Sequence, residues 1–241
     1  MATISRICHR SVQFVERVCD VNNVSIMGLS VMDILFDQRD CTFIGRGAYG
    51  SCTLACNTFS KWVVKMTSDD PMNVNIMLQE ITALSALQDC PGVQQLIMVC
   101  PEALAMISQY GGEQLDKYLA RHSCSEGQIL DIVHQLTETL ISIHEMGWTH
   151  LDVKCDNVTV CPSQAGLRVT LIDFGLALPI GQRHSFEKGN IVEHTAPEVL
   201  AGLPCSPASD VYSMARLLCR IMKQFDGPLF RWVRQGVRRN P

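Results

Sequence analysis

Several features are missing from this 241-residue sequence, and each absence closes a line of interpretation. Net charge is −4, so no global basic footprint argues for a nucleic-acid partner. No uncharged apolar run reaches the roughly 18–20 residues that a bilayer-spanning helix needs, so no membrane partner is expected. No basic-then-apolar secretory segment opens the chain. The twelve cysteines contain no Cys-x-x-Cys pair and no Cys/His cluster with zinc-site spacing. They are scattered singly through apolar or loop segments, as small hydrophobes would be. They predict reduced thiols and an intracellular location, cytoplasmic or nuclear. What is present is a 47% hydrophobic composition, enough for one large domain or two small lobes. Local basic character appears near the end, at Arg231, Arg234, Arg238 and Arg239. Their spacing suits one face of a helix, read as a solvated face, with a nucleic-acid-binding arm as the alternative.

The densest polar stretch is His150-Leu151-Asp152-Val153-Lys154-Cys155-Asp156-Asn157, which follows an amphipathic segment. Sixteen residues after Asn157 comes Asp173-Phe174-Gly175. An acid, a lysine and an asparagine fixed near a second acid suit work on a metal-bound phosphate. Upstream, Ile44-Gly45-Arg46-Gly47-Ala48-Tyr49-Gly50-Ser51-Cys52 carries a Gly-x-Gly-x-x-Gly pattern. Glycine lets backbone N–H groups approach phosphate oxygens closely. A dinucleotide fold would need a helix straight after it. The sequence offers strand, turn and strand instead, ending at Lys61-Trp62-Val63-Val64-Lys65. That arrangement reads as a glycine-rich hairpin over a nucleotide with Lys65 reaching its phosphates. A tight hairpin with a solvated lysine is the alternative.

Asn73 to Leu87 reads as a helix with Met77, Ile81 and Leu84 as its apolar stripe. Glu80 lies on the same side and needs a partner, for which Lys65 is the natural candidate. Strand-like runs follow at Gln95–Val99 and Ala103–Ser108, then the flexible Gln109-Tyr110-Gly111-Gly112. Residues 1–108 read as mostly β with one helix. Within 1–40, Ser11 to Val18 suggests a short helix with Val12, Val15 and Val18 on one face. The apolar run Met27 to Phe36, interrupted by Asp33, is left unassigned. Beyond Gly112 the pattern turns helical: Glu113–Arg121, then Glu126–Met146 with Ile129, Ile132, Leu136, Leu140 and Ile143 in phase. Two short strands, Val158–Val160 and Val169–Ile172, lead to Asp173. Residues 176–195 form a long aperiodic connection, and Ser209 to Ile221 a final apolar helix.

Taken together, these motifs resemble the eukaryotic-type protein kinase family, from about Phe43 to Ile221. The resemblance implies an α+β bilobal fold. An N-terminal extension (1–40) would precede a small, mostly β lobe with one helix (41–108) and a mostly helical lobe (109–241). It implies ATP and Mg²⁺ as cofactors and proteins as substrates. Residues Ile44 to Cys52 would cover the ATP phosphates. Lys65, held by Glu80, would pair with the α- and β-phosphates. Asp152 would accept the proton of the attacking hydroxyl, and Lys154 would stabilise charge on the γ-phosphoryl group. Asn157 and Asp173 would hold Mg²⁺. Ser108 and Tyr110 would meet the adenine edge, Met106 or Ile107 would sit behind it, and Val63 and Thr159 would lie against the base. Asp210 would brace the catalytic loop, and His150, Phe174 and Leu84 would stack as a spine. Lys154, two residues after Asp152, is the pattern of Ser/Thr kinases, so Ser/Thr hydroxyls are the expected acceptors.

The departures also carry expectations. Leu151 stands where the family has an arginine that pairs with a phosphate on the activation segment. Leucine cannot make that pair, which predicts activity without phosphorylation of residues 176–195. Ile191 stands where a threonine often positions the acceptor. Thr159 and Val63 imply a looser base pocket. Only 31 residues follow Asp210, where the family adds several helices. The helical lobe is therefore minimal, or the extension or a partner covers its surface. Compact kinases of this style occur in large DNA viruses, in which case the location would be the host cell. The leading reading is an active Ser/Thr protein kinase. The alternatives are a pseudokinase that binds nucleotide without turnover and a small-molecule phosphotransferase. Against the latter stand Lys154 and Ala196-Pro197-Glu198.

Overall fold

Turn residues and β-branched runs between residues 40 and 110 favour short antiparallel strands, and the computed structural model contains them. It describes residues 7–37, 39–47, 49–164, 166–184 and 193–222. The expectations placed on Ala48, on Ile191 and on the basic stretch 225–241 lie outside those residues. The chain forms two compact units. One runs to Asp89 and adds Val93–Tyr110 and Asp173–Leu176; the other comprises Cys90–Gly92, Gly111–Ile172 and the residues from Ala177 onward.

The first unit contains α1 (His9–Val21), α2 (Leu29–Asp37), β1 (Asp40–Gly47), β2 (Gly50–Cys56), β3 (Lys61–Met66), α3 (Pro71–Ala86), β4 (Leu96–Cys100) and β5 (Ala105–Gln109). The strands make one antiparallel sheet in the order β1-β2-β3-β5-β4. Asn57 makes the β2–β3 turn: its Oδ1 accepts from the backbone N–H groups of Phe59 at 3.0 Å and Ser60 at 2.9 Å. A register shift between Phe43 and Gly45 bulges β1 at Ile44, just before the glycine-rich turn. Helix α3 starts at Pro71, and Asp70 caps it by accepting from the Met72 and Asn73 N–H groups at 2.9 and 3.3 Å. Met77, Ile81 and Leu84 are buried, as the stripe requires, and Glu80 is buried with them.

Beside the expected helix α3, the described part of residues 1–108 holds α1, which takes in the short helix suggested over Ser11–Val18, and α2, which the sequence pattern left unassigned. Asp33 is the reason α2 was illegible. It is exposed, while Met32 is buried and Leu35 and Phe36 are half-buried, so the acid marks the wet face of an amphipathic helix. In α1, Val15 and Cys19 are buried and Val12 and Val18 half-buried. The extension is tied into the first unit at four places. The Cys8 N–H and the Ser11 hydroxyl both donate to Asp69, just ahead of α3, at 2.5 Å. The Ser85 hydroxyl, near the end of α3, donates to the Asn22 carbonyl at 2.7 Å. Met27 and Ser25 exchange backbone bonds with Val99 at 2.9 Å, and the Leu29 N–H donates to Glu102 at 2.6 Å. Helix α1 therefore lies against α3 and is fastened at both of its ends.

The second unit contains β6 (Glu113–Gln114), α4 (Leu115–Arg121), α5 (Glu126–Glu145), β7 (Trp148–Thr149), β8 (Val158–Ser163), β9 (Gly166–Leu171), β10 (Leu178–Pro179), α6 (Pro197–Leu200) and α7 (Pro207–Met222). Helix α5 opens with a capping box, Ser125 and Gln128 each bonding the other's backbone N–H. All five residues of its expected stripe are buried. The helix expected from Glu113 starts two residues later, because Glu113 and Gln114 pair with Val160 and Thr159 instead. Gly112 makes that pairing possible. Its φ is +129°, and a Cβ there would lie 2.2 Å from the Val160 oxygen.

Candidate active site

Residues of the expected site fall into two clusters, one on each unit. In the first, Lys65 is the centre. It sits on β3 opposite Cys52 of β2 and Met106 of β5. Its Nζ donates to Glu80 Oε2 at 2.7 Å and to Asp173 Oδ1 at 2.8 Å. The strand fixes the lysine, and α3 turns Glu80 toward it from within the apolar stripe. Asp173 has a left-handed backbone, φ +64°, which turns its side chain out of the extended run from β9. Burial works against a charged lysine, but Glu80 and Asp173 outweigh it and hold the Lys65 pKa above its ordinary value. Burial pushes the Glu80 carboxyl up, opposed by Lys65 and by a bond from the Phe174 backbone. Glu80 is 2% exposed, so losing the lysine would strand it.

The glycines of the hairpin are not equivalent. A Cβ on Gly50 would lie 2.3 Å from the Met66 carbonyl oxygen, so sheet packing demands glycine there. A Cβ on Gly45 or Gly47 would meet nothing within 4 Å. The protein leaves those two positions open, as a phosphate cradle requires. Ile44 and Arg46 are exposed, Tyr49, Ser51 and Cys52 are half-buried, and burial raises the Cys52 thiol despite Lys65. Val63 is half-buried opposite Leu54 and Ser108, and Ser108 is buried on β5. Tyr110 donates its backbone N–H to the Lys61 carbonyl at 3.1 Å.

In the second cluster Asp152 is the centre. Lys154 Nζ donates to its Oδ2 at 2.7 Å, and Asn157 Nδ2 donates to the same oxygen at 2.7 Å and to the Asp152 carbonyl at 2.9 Å. Helix α7 holds the loop from beneath. Asp210 Oδ2 accepts from the His150 N–H at 2.8 Å, and Oδ1 accepts from the Leu151 N–H at 2.7 Å. Leu151 also has a left-handed backbone, φ +65°, and is buried with Ala196, Val199 and Cys205. Burial would raise the Asp152 carboxyl, but bonds from His194 and Lys154 outweigh it and hold the pKa below the usual carboxylate value. Thr159 is buried, and its hydroxyl is spent on the Thr170 carbonyl at 3.1 Å.

Three contacts escape a reading of the sequence. His194 Nε2 lies 2.7 Å from Asp152 Oδ1. His144 Nε2 lies 2.8 Å from Asp210 Oδ2. Glu198 accepts from the Ser209 hydroxyl at 2.7 Å. His194 stands 42 residues from Asp152 in an aperiodic stretch. Its only signal in the sequence is its place shortly after Ile191, where a polar residue was expected and is missing.

Comparison with known proteins places this geometry in a family. Residues 39–231 match the protein kinase domain. A probable myosin light chain kinase of Dictyostelium discoideum is 29% identical over 178 residues, covering 71% of this chain and 57% of that protein. The serine/threonine-protein kinase pkn2 of Myxococcus xanthus is 33% identical over 127 residues, 49% of this chain and 15% of its own length. The serine/threonine-protein kinase cds1 of Schizosaccharomyces pombe is 29% identical over 173 residues, 65% of this chain and 37% of its own length. The chain thus spans 57% or less of each of these relatives. The family match nevertheless runs from just before β1 past the end of α7 and takes in both clusters. The chain belongs to the protein kinase domain family.

Proposed function

We propose that this chain transfers the γ-phosphoryl group of ATP to Ser/Thr hydroxyls of protein substrates. The observation that carries the proposal is Asp152: a carboxylate held ionised, with Lys154 on one of its oxygens. An ionised acid can orient a hydroxyl and take its proton as the oxygen attacks. Lys154 would then supply the cation that charge on the transferring group needs. Lys65 would grip the α- and β-phosphates with its position set by Glu80, and the open faces of Gly45 and Gly47 would admit the phosphates. Names of the relatives support Ser/Thr as acceptor, as does Lys154 two residues after Asp152. The same proposal places the protein inside the cell, in keeping with cysteines such as Cys19, Cys90, Cys100, Cys155 and Cys205, each buried as a free thiol.

Residues for Mg²⁺ have the right chemistry. An ionised Asp152 only accepts, so Asn157 must present its Nδ2 there, which turns its carbonyl oxygen the other way. Asp173 supplies carboxylate oxygen. Hard oxygen donors of this kind suit Mg²⁺. Held by such donors, Mg²⁺ would neutralise charge on the phosphates.

Leu151 extends the proposal to regulation. It packs among Ala196, Val199 and Cys205, so apolar contact does the holding that an arginine–phosphate pair would do. Activity should therefore survive phosphatase treatment. An ATP phosphotransfer assay on generic protein substrates tests the whole reading, with Asp152→Asn and Asp173→Ala as controls and phosphoamino-acid analysis of the product. Undiminished activity in Asp152→Asn would sink it. One observation favours the alternative, a nucleotide-binding module without turnover: both Asp152 oxygens already carry protein donors. ATP binding without transfer would establish that alternative.

A further inference from the structure

Counting the acceptor sites on Asp152 gives His194 a specific position. A carboxylate has about four lone-pair sites. Lys154 and Asn157 use two on Oδ2, and His194 uses one on Oδ1. The site that remains is on Oδ1, beside the His194 ring. A hydroxyl approaching Asp152 would therefore take the oxygen that His194 orients.

The histidine is itself held. Its side chain is 18% exposed and its carbonyl accepts from the Ser213 hydroxyl at 2.6 Å. Ser213 follows Asp210 by three residues on α7. One helix thus fixes both partners: Asp210 holds the backbone leading into Asp152, and Ser213 holds the backbone of His194. Because an ionised carboxylate only accepts, Nε2 of His194 carries the hydrogen.

We infer that His194 is a positioning residue for phosphoryl transfer, filling from two residues before Ala196 the role that Ile191 cannot fill. It fixes the Asp152 carboxylate plane so that the remaining Oδ1 site faces the acceptor hydroxyl. The inference rests on the proposal that Asp152 is the base.

Three variants separate the possibilities. His194→Phe keeps a ring and removes the donor; His194→Gln places an amide donor at a similar reach. Asp152→Asn reports on the base itself. The expected result is a fall in kcat of about tenfold or more in His194→Phe, with KM for ATP nearly unchanged. His194→Gln should recover most of that loss, which a purely structural role would not produce. Thermal melting and ATP-induced stabilisation verify that each variant is folded, and if His194→Phe is not, the Gln variant is compared with His194→Ala. Wild-type kcat in His194→Phe alongside an inactive Asp152→Asn overturns the inference and leaves the base in place. A rise in kcat in His194→Phe also overturns it, by making His194 a plug. Wild-type activity in Asp152→Asn overturns the underlying proposal instead.

Discussion

The two clusters are built with opposite charge. On the first unit a cation sits between two acids, Lys65 between Glu80 and Asp173. On the second an acid sits among donors, Asp152 among Lys154, Asn157 and His194. Burial differs in the same way. Glu80 is 2% exposed and has Lys65 as its cation, whereas the Lys154 side chain is 30% exposed and can fall back on water. The first cluster is therefore bound to the integrity of the fold, while the second can lose parts and stay folded.

The most damaging change should be Asp152→Asn, which keeps shape and removes the charge. Its kcat should fall by about 10²–10⁴-fold, with a smaller loss of stability than follows from removing Lys65. An equally large loss of stability would break the contrast between the clusters. Lys65→Met should behave in the opposite way. Leaving Glu80 buried without a cation should cost about 3–5 kcal/mol, read from denaturant melts, along with nucleotide-induced stabilisation. Next, Leu151→Ala empties an apolar site beside Asp152 and should cost about 2–5 kcal/mol, measured in the same way.

A pH profile sharpens the comparison further. Lys154→Met removes a donor from Asp152, so its carboxyl should return toward the ordinary carboxylate range. The acid limb of kcat should then move to higher pH. The sign follows from the depressed pKa. In the native protein the contribution of ionised Asp152 to stability is present above the ordinary carboxylate value. It is lost as pH falls through the lowered value, and in the variant that loss begins at higher pH. The smallest effect belongs to Arg216→Ala. Arg216 pairs with exposed Glu193, next to His194, at 3.0 Å. Removing it should change stability by less than about 1 kcal/mol and leave kcat unchanged. A larger effect would mean that surface charge, rather than Ser213, sets the position of His194.

What the sequence disclosed follows from how local each signal is. The α5 stripe repeats a simple period within one helix, so it could be read directly. The partnership of Lys65 and Glu80 was legible because an acid in an apolar stripe demands a cation, and few were near. Three hairpin glycines looked alike, since the demand on Gly50 comes from Met66, a residue of another strand. Helix α2 was hidden by Asp33, whose exposure only folding defines. His194 could not be placed, because nothing in an aperiodic stretch says which loop it will meet.

The family match begins at residue 39, after α1 and α2 have ended. Yet their hydrogen-bond partners Asp69, Ser85 and Glu102 lie 58 to 73 residues further along. During synthesis these helices emerge before the residues they bind. At about 5–20 residues per second, their sites appear some 3–15 seconds later. Helix α3, which carries Glu80, can be born only into the company of a segment already waiting for it. The order of translation thus guarantees that the brace precedes the element it braces.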